Sequence, residues 1–317
     1  MNRRYKTPEA FRTALEHKQK QRAAAAGILF TRLAQVDLYY RFLDRILQEL
    51  GDGAVVVKGG VALEMRLQSA RTTLDIDLRA SGSPTDVYER IRVAGLRELD
   101  DFLLFRVEDR VGREAIAGEG VRYEGRRFDV QAMLANKPYH RRFGLDVAFG
   151  DPMIGPPDQV TAPDTFSFIG IAPPAIPIYP LGTHLAEKLH AYTLPRRDGR
   201  LSSRLKDLVD IALVAVEPAL RPQPMTIDAA TVRRAFQMTF DARNTHELPG
   251  AVPPAPEAWS ARYPREQQLN RLPWTSIAEV HAEAARFLDP VLAATASGAW
   301  DPVSRTWSER AATDGRT

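Results

Sequence analysis

Residues 151–180 contain eight prolines, and this segment restricts the fold more than any other part of the chain. Proline lacks a backbone N–H and fixes φ, so it interrupts both the interior of a helix and the centre of a sheet. The segment is therefore predicted to form neither a helix nor a central strand, but a connection that wraps over the surface. It separates two regions whose hydrophobic patterns differ.

The region before these prolines alternates between helix and strand patterns. Apolar side chains at three- and four-residue intervals across residues 8–50 predict two helices, and Gly51-Asp52-Gly53 ends the second. Short β-branched or alternating runs predict strands, and further periodic runs predict helices. The strands are expected at residues 54–57, 72–78, 102–107, 128–133 and 144–149, and the helices at 61–68 and 85–98.

The region after the prolines is mainly helical. Periodic apolar residues predict helices at 182–194, 203–217, 229–241 and 274–293, with a second proline-rich stretch, 248–264, before the last of them. The polar residues after Trp300 are expected to fray. The fold class is therefore α/β (α+β), a mixed sheet with flanking helices followed by a helical half. The expected domains are an α/β domain with N-terminal helices (1–150), a connection (151–180), a helical domain that completes the active site (181–300) and a flexible tail (301–317).

The composition excludes several classes of chemistry. The 317 residues include no cysteine, which rules out disulfides, thiolate nucleophiles and zinc–thiolate or iron–sulfur sites, so any metal must bind to oxygen or imidazole. No run of 18 uncharged apolar residues is present, and the first twenty residues have no apolar core typical of a secretory signal. We therefore expect a cytoplasmic protein without a membrane partner.

Positive charge is concentrated at the N-terminus. Residues 1–22 carry a net charge of +5, whereas the whole chain carries +3. A solvated helix face and an arm that contacts nucleic acid both fit this pattern, and the sequence does not separate them.

The chemically most informative stretch begins with Lys58-Gly59-Gly60, a turn between a strand and a helix. Two residues without Cβ atoms allow backbone N–H groups to close on an anion, and the start of the helix adds partial positive charge. The next strand carries Asp75 and Asp77 at positions i and i+2, which places both carboxylates on one face. Such like charges repel unless a cation lies between them, and oxygen ligands suit Mg²⁺ or Mn²⁺. A phosphate-binding turn beside a carboxylate metal site predicts phosphoryl or nucleotidyl transfer.

The order of these two motifs is similar to that of the nucleotidyltransferase superfamily, in which a Gly-Gly or Gly-Ser turn precedes Asp-x-Asp. That superfamily takes a third carboxylate from a later strand. Asp146, within an apolar strand pattern, is favoured for this role, and Asp129 is the alternative.

Two later helix patterns carry charged residues among apolar neighbours. Lys188 either directs its charge at triphosphate oxygens or pairs with a nearby carboxylate. Asp207 and Asp210, at positions i and i+3, share a helix face and either act at the site or form surface ion pairs. Neither helix indicates a function by itself.

Together these motifs resemble the AbiEii/AbiGii toxin family of nucleotidyltransferase-like proteins, which includes the MenT-like toxins. Four matches carry the resemblance: KGGVALEMRL, TTLDIDL, AEKLHA and RLKDLVD. Two later stretches, 243–249 and 253–292, also resemble the family, so the likeness extends from about residue 26 to residue 293.

The resemblance implies a nucleotidyltransferase fold and a toxin of a type IV toxin–antitoxin or abortive-infection pair, with a cognate antitoxin as partner. Its relatives use a nucleoside triphosphate and Mg²⁺ to add nucleotides, typically pyrimidines, to the 3′ acceptor end of tRNA. That addition blocks aminoacylation and translation.

Carried over to this chain, the resemblance implies three sets of site residues. The metal ligands are Asp75, Asp77 and Asp146. The catalytic residues are Asp75, Asp77, Lys188, Asp207 and Asp210, and the spacing leaves open which of the last two is the motif carboxylate. The nucleotide-binding residues are Lys58, Gly59, Gly60, Arg66, Arg71, Thr73 and Lys188.

Two other functions stay compatible with the sequence. One is a nucleotidyltransferase that modifies a small molecule or a protein, and the other is a module that binds nucleic acid or an antitoxin without catalysis. The helical half and the basic N-terminus favour a large acceptor such as tRNA. The intact carboxylates and Lys188 favour catalysis over binding alone.

Overall fold

The computed structural model describes residues 4–67, 73–112, 125–196, 202–222 and 225–308. The helices in these ranges are α1 (Pro8–Ala26), α2 (Phe30–Leu50), α3 (Gly59–Arg66), α4 (Pro84–Gly95), α5 (Leu181–Thr193), α6 (Leu205–Val216), α7 (Ala229–Arg243), α8 (Tyr263–Asn270) and α9 (Ile277–Leu292). The strands are β1 (Val55–Lys58), β2 (Asp75–Ala80), β3 (Leu104–Asp109), β4 (Gly125–Leu134), β5 (Lys137–Pro138), β6 (Phe143–Phe149), β7 (Asp158–Thr161), β8 (Ala175–Ile178), β9 (Ala299–Asp301) and β10 (Thr306–Ser308).

In the part of the chain that the structure describes, eight strands form one mixed sheet, in the order β3-β4-β6-β2-β1-β8-β7 with β5 paired to β4. At its centre, β2 pairs parallel to β6 and antiparallel to β1. Along β2, Ile76 and Leu78 are fully buried, so the alternation of a strand leaves Asp75 and Asp77 on the opposite face. The mixed α/β fold class and the predicted alternation of this strand are confirmed.

The proline-rich segment contributes two strands to the sheet, so the prediction that it contains no central strand is wrong. β8 lies between β1 and β7, parallel to the first and antiparallel to the second. The pairing with β1 begins only at Ile178, and the N–H of Tyr179 donates to the carbonyl of Val57. Pro177 would direct an N–H to the same side one position before this pairing begins, so its missing donor breaks no ladder bond.

Two clusters of buried side chains form the interior. The first contains side chains of the sheet and of α1, α2 and α4, and the second contains side chains of α5, α6, α7 and α9. Helix α3 belongs to both, because Val61 and Met65 lie in the first cluster whereas Leu63 and Leu67 lie in the second. The helix after the Gly-Gly turn therefore joins the two halves of the chain. Their separation into domains stays a prediction.

The end of the described chain is ordered by aromatic packing. Residues 299–308 form an antiparallel hairpin, so the predicted flexible tail is wrong for this part of 301–317. The indole N–H of buried Trp300 donates to the carbonyl of Ala215 at 2.8 Å, and Trp307 stacks on Phe287 with ring centroids 5.6 Å apart. Trp300 and Trp307 therefore hold the hairpin in place by apolar packing, which the polar composition of the neighbouring residues does not indicate. Residues 309–317 lie outside the described ranges.

The basic N-terminal segment is packed against the rest of the protein. The side chain of Thr7 caps α1, and Phe11 and Leu15 on this helix are fully buried. Arg22 pairs with Asp37 of α2 at 3.0 Å. Deleting this segment would therefore remove part of the core, so its charges are better tested by single substitutions. No helix in the described ranges has the length and apolar character that a membrane crossing requires.

A buried ion-pair network joins α2 to the loop before β3. Asp101 is fully buried, 2.7 Å from the guanidinium of Arg41 and 2.6 Å from that of Arg45. Burial acts to raise the pKa of Asp101, but Arg45 and Arg41 lower it more, so the net shift is downward. The network therefore holds a charged carboxylate inside the protein.

We expect Asp101→Asn to lower the free energy of unfolding by about 3–5 kcal/mol, because it leaves two buried guanidinium groups without their shared counter-charge. Urea unfolding followed by circular dichroism measures this loss. Asp86→Asn is the matched control: its ion pair with Arg90 is exposed, and a change within about 0.5 kcal/mol is expected. Equal unfolding midpoints for both variants would contradict the structural role of Asp101.

Candidate active site

Four charged residues form a row across the centre of the sheet. Lys58 of β1 lies opposite Asp77 of β2, Asp77 lies opposite Asp146 of β6, and Asp146 lies opposite Arg127 of β4. Residues that are opposite each other in neighbouring strands present their side chains to the same face of the sheet. The register therefore sets a pair of carboxylates between two cations.

A second row lies two residues along the same strands. It brings Asp75 opposite Gly144 and Gly144 opposite Asp129. A Cβ at Gly144 would overlap the Asp75 carboxylate and the Arg110 guanidinium, so this row requires glycine there. Arg110 lies 3.0 Å from Asp129 and 3.5 Å from Asp75. The side chain of Asp75 is 53% exposed, which makes it the carboxylate at the open edge of the site.

The Gly-Gly turn lies directly against the strand that carries the carboxylates. Gly59 has φ +64°, in the left-handed region, and a Cβ there would overlap the Asp77 carboxylate. At Gly60 a Cβ would lie 2.6 Å from the Thr73 hydroxyl oxygen. The turn thus brings the N-terminal end of α3, with its partial positive charge, beside the acidic strand.

The carboxylates on this face destabilise each other's charged forms. Burial raises the pKa of Asp77 to about 7, Asp146 and Asp75 act in the same direction, and Lys58 and Lys188 oppose them. Burial also raises the pKa of Asp146, against the effect of Arg127 at 3.1 Å. The second oxygen of Asp146, Oδ1, is buried and has no hydrogen-bond partner in the described part of the chain. Repelling carboxylates with an unpartnered oxygen are the donor chemistry of a cation site.

The protein does not form a complete metal cage by itself. Within the described ranges, no three His, Asp or Glu side chains are grouped so that they could hold a metal ion. The sheet brings the predicted ligands Asp75, Asp77 and Asp146 onto adjacent strands, but not into one coordination group. The structure therefore offers carboxylate donors for part of a coordination shell.

Lys188 reaches the site from the helical half. It is buried on α5, and its Nζ donates to Asp210 at 2.6 Å and to Asp207 at 3.4 Å, both on α6. Asp210 is fully buried, whereas Asp207 also lies 3.6 Å from exposed Arg204. The charge of Lys188 lowers the pKa of Asp77, so it acts on the carboxylate row as well as on its own partners.

A buried network that the sequence analysis missed holds Lys58. Its Nζ contacts Asp151 and lies 3.8 Å from Glu187, and Arg243 lies 2.7 Å from Glu187 and 3.4 Å from Asp151. Lys58, predicted to bind nucleotide, therefore has carboxylate partners on its own chain. Glu187 and Arg243 both lie in stretches that resemble the family, and a charge within a buried apolar pattern is the signal that marks them.

The structure does not bring Arg66 to this site. Its side chain is fully buried and donates to the carbonyls of Arg221 and Tyr179 and to the carboxylate of Asp158. These contacts tie α3 to β7 and to the chain beyond α6. Arg71, the other arginine predicted to bind nucleotide, lies outside the described residues.

One comparison with known proteins, the match to a family model, agrees with the motifs. The sequence model of the family described as nucleotidyl transferase AbiEii toxin, type IV TA system, matches residues 41–301. Among solved structures, the MenT4 nucleotidyltransferase toxin of Mycobacterium tuberculosis H37Rv is 19% identical, with a TM-score of 0.49 over 90% of this chain and 98% of its own. JHP933 of Helicobacter pylori is 13% identical, with a TM-score of 0.47 over 82% of this chain and 93% of its own. Comparison with curated proteins finds no match.

The family match spans most of the chain and includes both rows of the sheet, the Gly-Gly turn and the Lys188 helix. The resemblance read from the motifs is therefore confirmed. This chain belongs to the AbiEii family of nucleotidyltransferase toxins of type IV toxin–antitoxin systems.

Proposed function

We propose that this protein is a metal-dependent enzyme that transfers nucleotides, pyrimidines by preference, from a nucleoside triphosphate to the 3′ end of tRNA. The observation that carries the proposal is the pair of carboxylates, Asp77 and Asp146, set in register beside a glycine turn in a chain of a nucleotidyltransferase family. Modified tRNA would no longer accept an amino acid, which accounts for toxicity. A cognate antitoxin in the cytoplasm would restrain the enzyme.

In this reaction the oxygen of the 3′-terminal hydroxyl bonds to the α-phosphorus. The bond between that phosphorus and the oxygen that bridges to the β-phosphate breaks. Pyrophosphate leaves, and the hydroxyl proton passes to a base. We assign the base to Asp75, because it is the carboxylate at the open edge where an acceptor has access. We assign charge stabilisation on the triphosphate to Lys188 and to the N-terminal end of α3.

The donors present fit a divalent cation such as Mg²⁺ or Mn²⁺. Asp77 and Asp146 would hold it, since they are adjacent and one oxygen of Asp146 has no hydrogen-bond partner among the residues that the structure describes. Mg²⁺ at such sites is bound by one or two carboxylates and completed by substrate phosphates and water, which does not require three protein ligands. When bound, the ion lowers the pKa of the attacking hydroxyl and offsets charge on the phosphates.

Incubation with tRNA, Mg²⁺ and each α-³²P-labelled nucleoside triphosphate in turn tests this function. We expect label on tRNA, strongest with CTP or UTP, and no label in a parallel reaction that contains EDTA from the start. Pyrophosphate release without labelled RNA would instead indicate a small-molecule or protein acceptor.

We expect Asp146→Asn to raise the Mg²⁺ concentration for half-maximal activity about 10–100-fold, because it weakens a metal donor. Asp129→Asn is the matched comparison, since both oxygens of Asp129 face arginines, Arg110 at 3.0 Å and Arg142 at 4.0 Å, whereas Oδ1 of Asp146 has no hydrogen-bond partner among the described residues. A Mg²⁺ titration of the labelling rate measures both. If the Mg²⁺ concentration for half-maximal activity rises more in Asp129→Asn than in Asp146→Asn, Asp129 and not Asp146 is the metal ligand.

A further inference from the structure

A cleft of about 530 Å³ opens beside the carboxylate rows, at the edge of the sheet where β2 and β6 begin. Thr73 and Leu74, which directly precede Asp75, line the cleft on one side, as does Glu64 of α3. Its other walls come from the start of α2, from residues 140–142 before β6, and from the end of α8. The cleft therefore lies next to the exposed carboxylate of the site. Below it is called the α2–α8 cleft.

Several large apolar side chains are exposed in the α2–α8 cleft. Four of the nine large apolar residues that are exposed in the described ranges line it, namely Ile28, Leu29, Leu74 and Leu269. Leu29 is 71% exposed and Leu269 is 63% exposed. Single exposed apolar residues are ordinary on protein surfaces, whereas a group of them in one concave site indicates a surface that binds something.

The charge of the cleft is positive. Arginines line it at positions 32, 141, 142 and 271, and among its described residues Glu64 is the one carboxylate. That carboxylate pairs with Arg32 at 3.3 Å, and Arg142 lies 3.5 Å from Glu108 and 4.0 Å from Asp129. Arg271, in contrast, donates to the uncharged carbonyl of Gly27 at 2.7 Å. Proteins bind single-stranded nucleic acid with a positively charged groove beside side chains that cover the faces of the bases, and in this cleft arginines and exposed leucines supply those two elements.

We propose that the α2–α8 cleft holds the unpaired 3′ end of the acceptor RNA. Its terminal bases lie against Leu29, Leu74 and Leu269, and its phosphates lie beside Arg141 and Arg271. A volume of about 530 Å³ is that of a small-ligand site, which suits one or two unpaired nucleotides. An RNA strand bound in this position has its terminal hydroxyl directed towards Asp75. The inference rests on the proposed function and adds where the acceptor binds.

The test compares Leu29→Glu and Leu269→Glu with a matched control, Leu96→Glu. Leu96 is 60% exposed and does not line the cleft. In the labelling assay we expect each cleft variant to raise the KM for RNA about 10-fold or more, because the new carboxylate replaces an apolar contact with a base and repels the phosphates beside it. The KM for the nucleoside triphosphate should stay unchanged in both, and Leu96→Glu should behave as wild type. Unchanged KM values for RNA in both cleft variants would overturn the inference.

A binding measurement separates this inference from the proposed catalysis. A short single-stranded RNA with 2-aminopurine at its 3′ end is titrated with protein in EDTA. We expect a fluorescence change with wild type that both cleft variants lose, and weaker binding of the same RNA as a blunt duplex. If wild type binds this probe but labels no RNA, the proposed function fails and the cleft assignment stands. If the cleft variants bind RNA normally but no longer bind the antitoxin, the cleft belongs to a protein partner and the inference is wrong.

Discussion

Replacing Asp77 with asparagine is expected to reduce nucleotide transfer by at least about 10³-fold without weakening the fold. The loss follows from the role we assign to its charge, since metal-assisted stabilisation of a phosphoryl transition state is worth several kcal/mol and each 1.36 kcal/mol is a factor of ten in rate. The fold should persist because Asp77 lies beside Asp146 and Asp75, so neutralising it removes a repulsion. Labelling rate at saturating Mg²⁺ and melting temperature in EDTA measure the two effects.

Asp241→Asn provides the control, because Asp241 is an exposed carboxylate on α7, a helix that contributes no residue to either row. It should keep the wild-type rate and melting temperature. A rate for Asp77→Asn near that of wild type would remove the carboxylate pair from the mechanism. A large fall in melting temperature would show instead that Asp77 supports the fold.

The second large effect concerns the buried pair of Lys188 and Asp210. Lys188→Met and Asp210→Leu should each lower the free energy of unfolding by about 3–5 kcal/mol, because each breaks the 2.6 Å ion pair between two buried side chains. The double variant should regain most of this stability, since two apolar side chains replace the pair. Its transfer activity should stay as low as that of Lys188→Met, because the cation for the triphosphate is still missing. Urea unfolding and the labelling rate of all four proteins complete the cycle.

This cycle separates a structural role of Lys188 from a chemical one. Stability and activity that return together in the double variant would show that Lys188 serves only to neutralise Asp210. Asp207→Asn is a useful comparison, since Asp207 lies farther from Lys188, at 3.4 Å, and has Arg204 as a second partner. We expect a smaller effect on both measurements from Asp207→Asn, which would identify Asp210 as the motif carboxylate.

Local periodicity made the centre of the site predictable. The alternation of Asp75 and Asp77 with buried residues defines one face of one strand, and the glycine turn before it has a direct signature. The sequence favoured Asp146 over Asp129 as the third carboxylate, although both lie in strand patterns. The register supports that proposal, since Asp146 lies opposite Asp77 whereas Asp129 lies opposite Gly144.

Contacts between segments that are far apart in the chain could not be predicted from the sequence. The network around Lys58 joins three separate elements through Asp151, Glu187 and Arg243, and no local pattern links them. Arg66 follows the glycine turn closely, and the sequence does not show that its donors are used by main-chain carbonyls and Asp158. A basic residue near a motif can therefore stabilise the fold and not bind the substrate.

The mass of the RNA product tests the central claim most directly. Purified protein is incubated with tRNA, Mg²⁺ and the four nucleoside triphosphates, and the 3′-terminal fragment of the tRNA is then measured by mass spectrometry. Our account predicts a gain of one or more nucleoside monophosphate residues at the 3′ end with wild type, and an unchanged fragment with Asp77→Asn. An unchanged fragment with active wild-type toxin, or equal extension by Asp77→Asn, would contradict it.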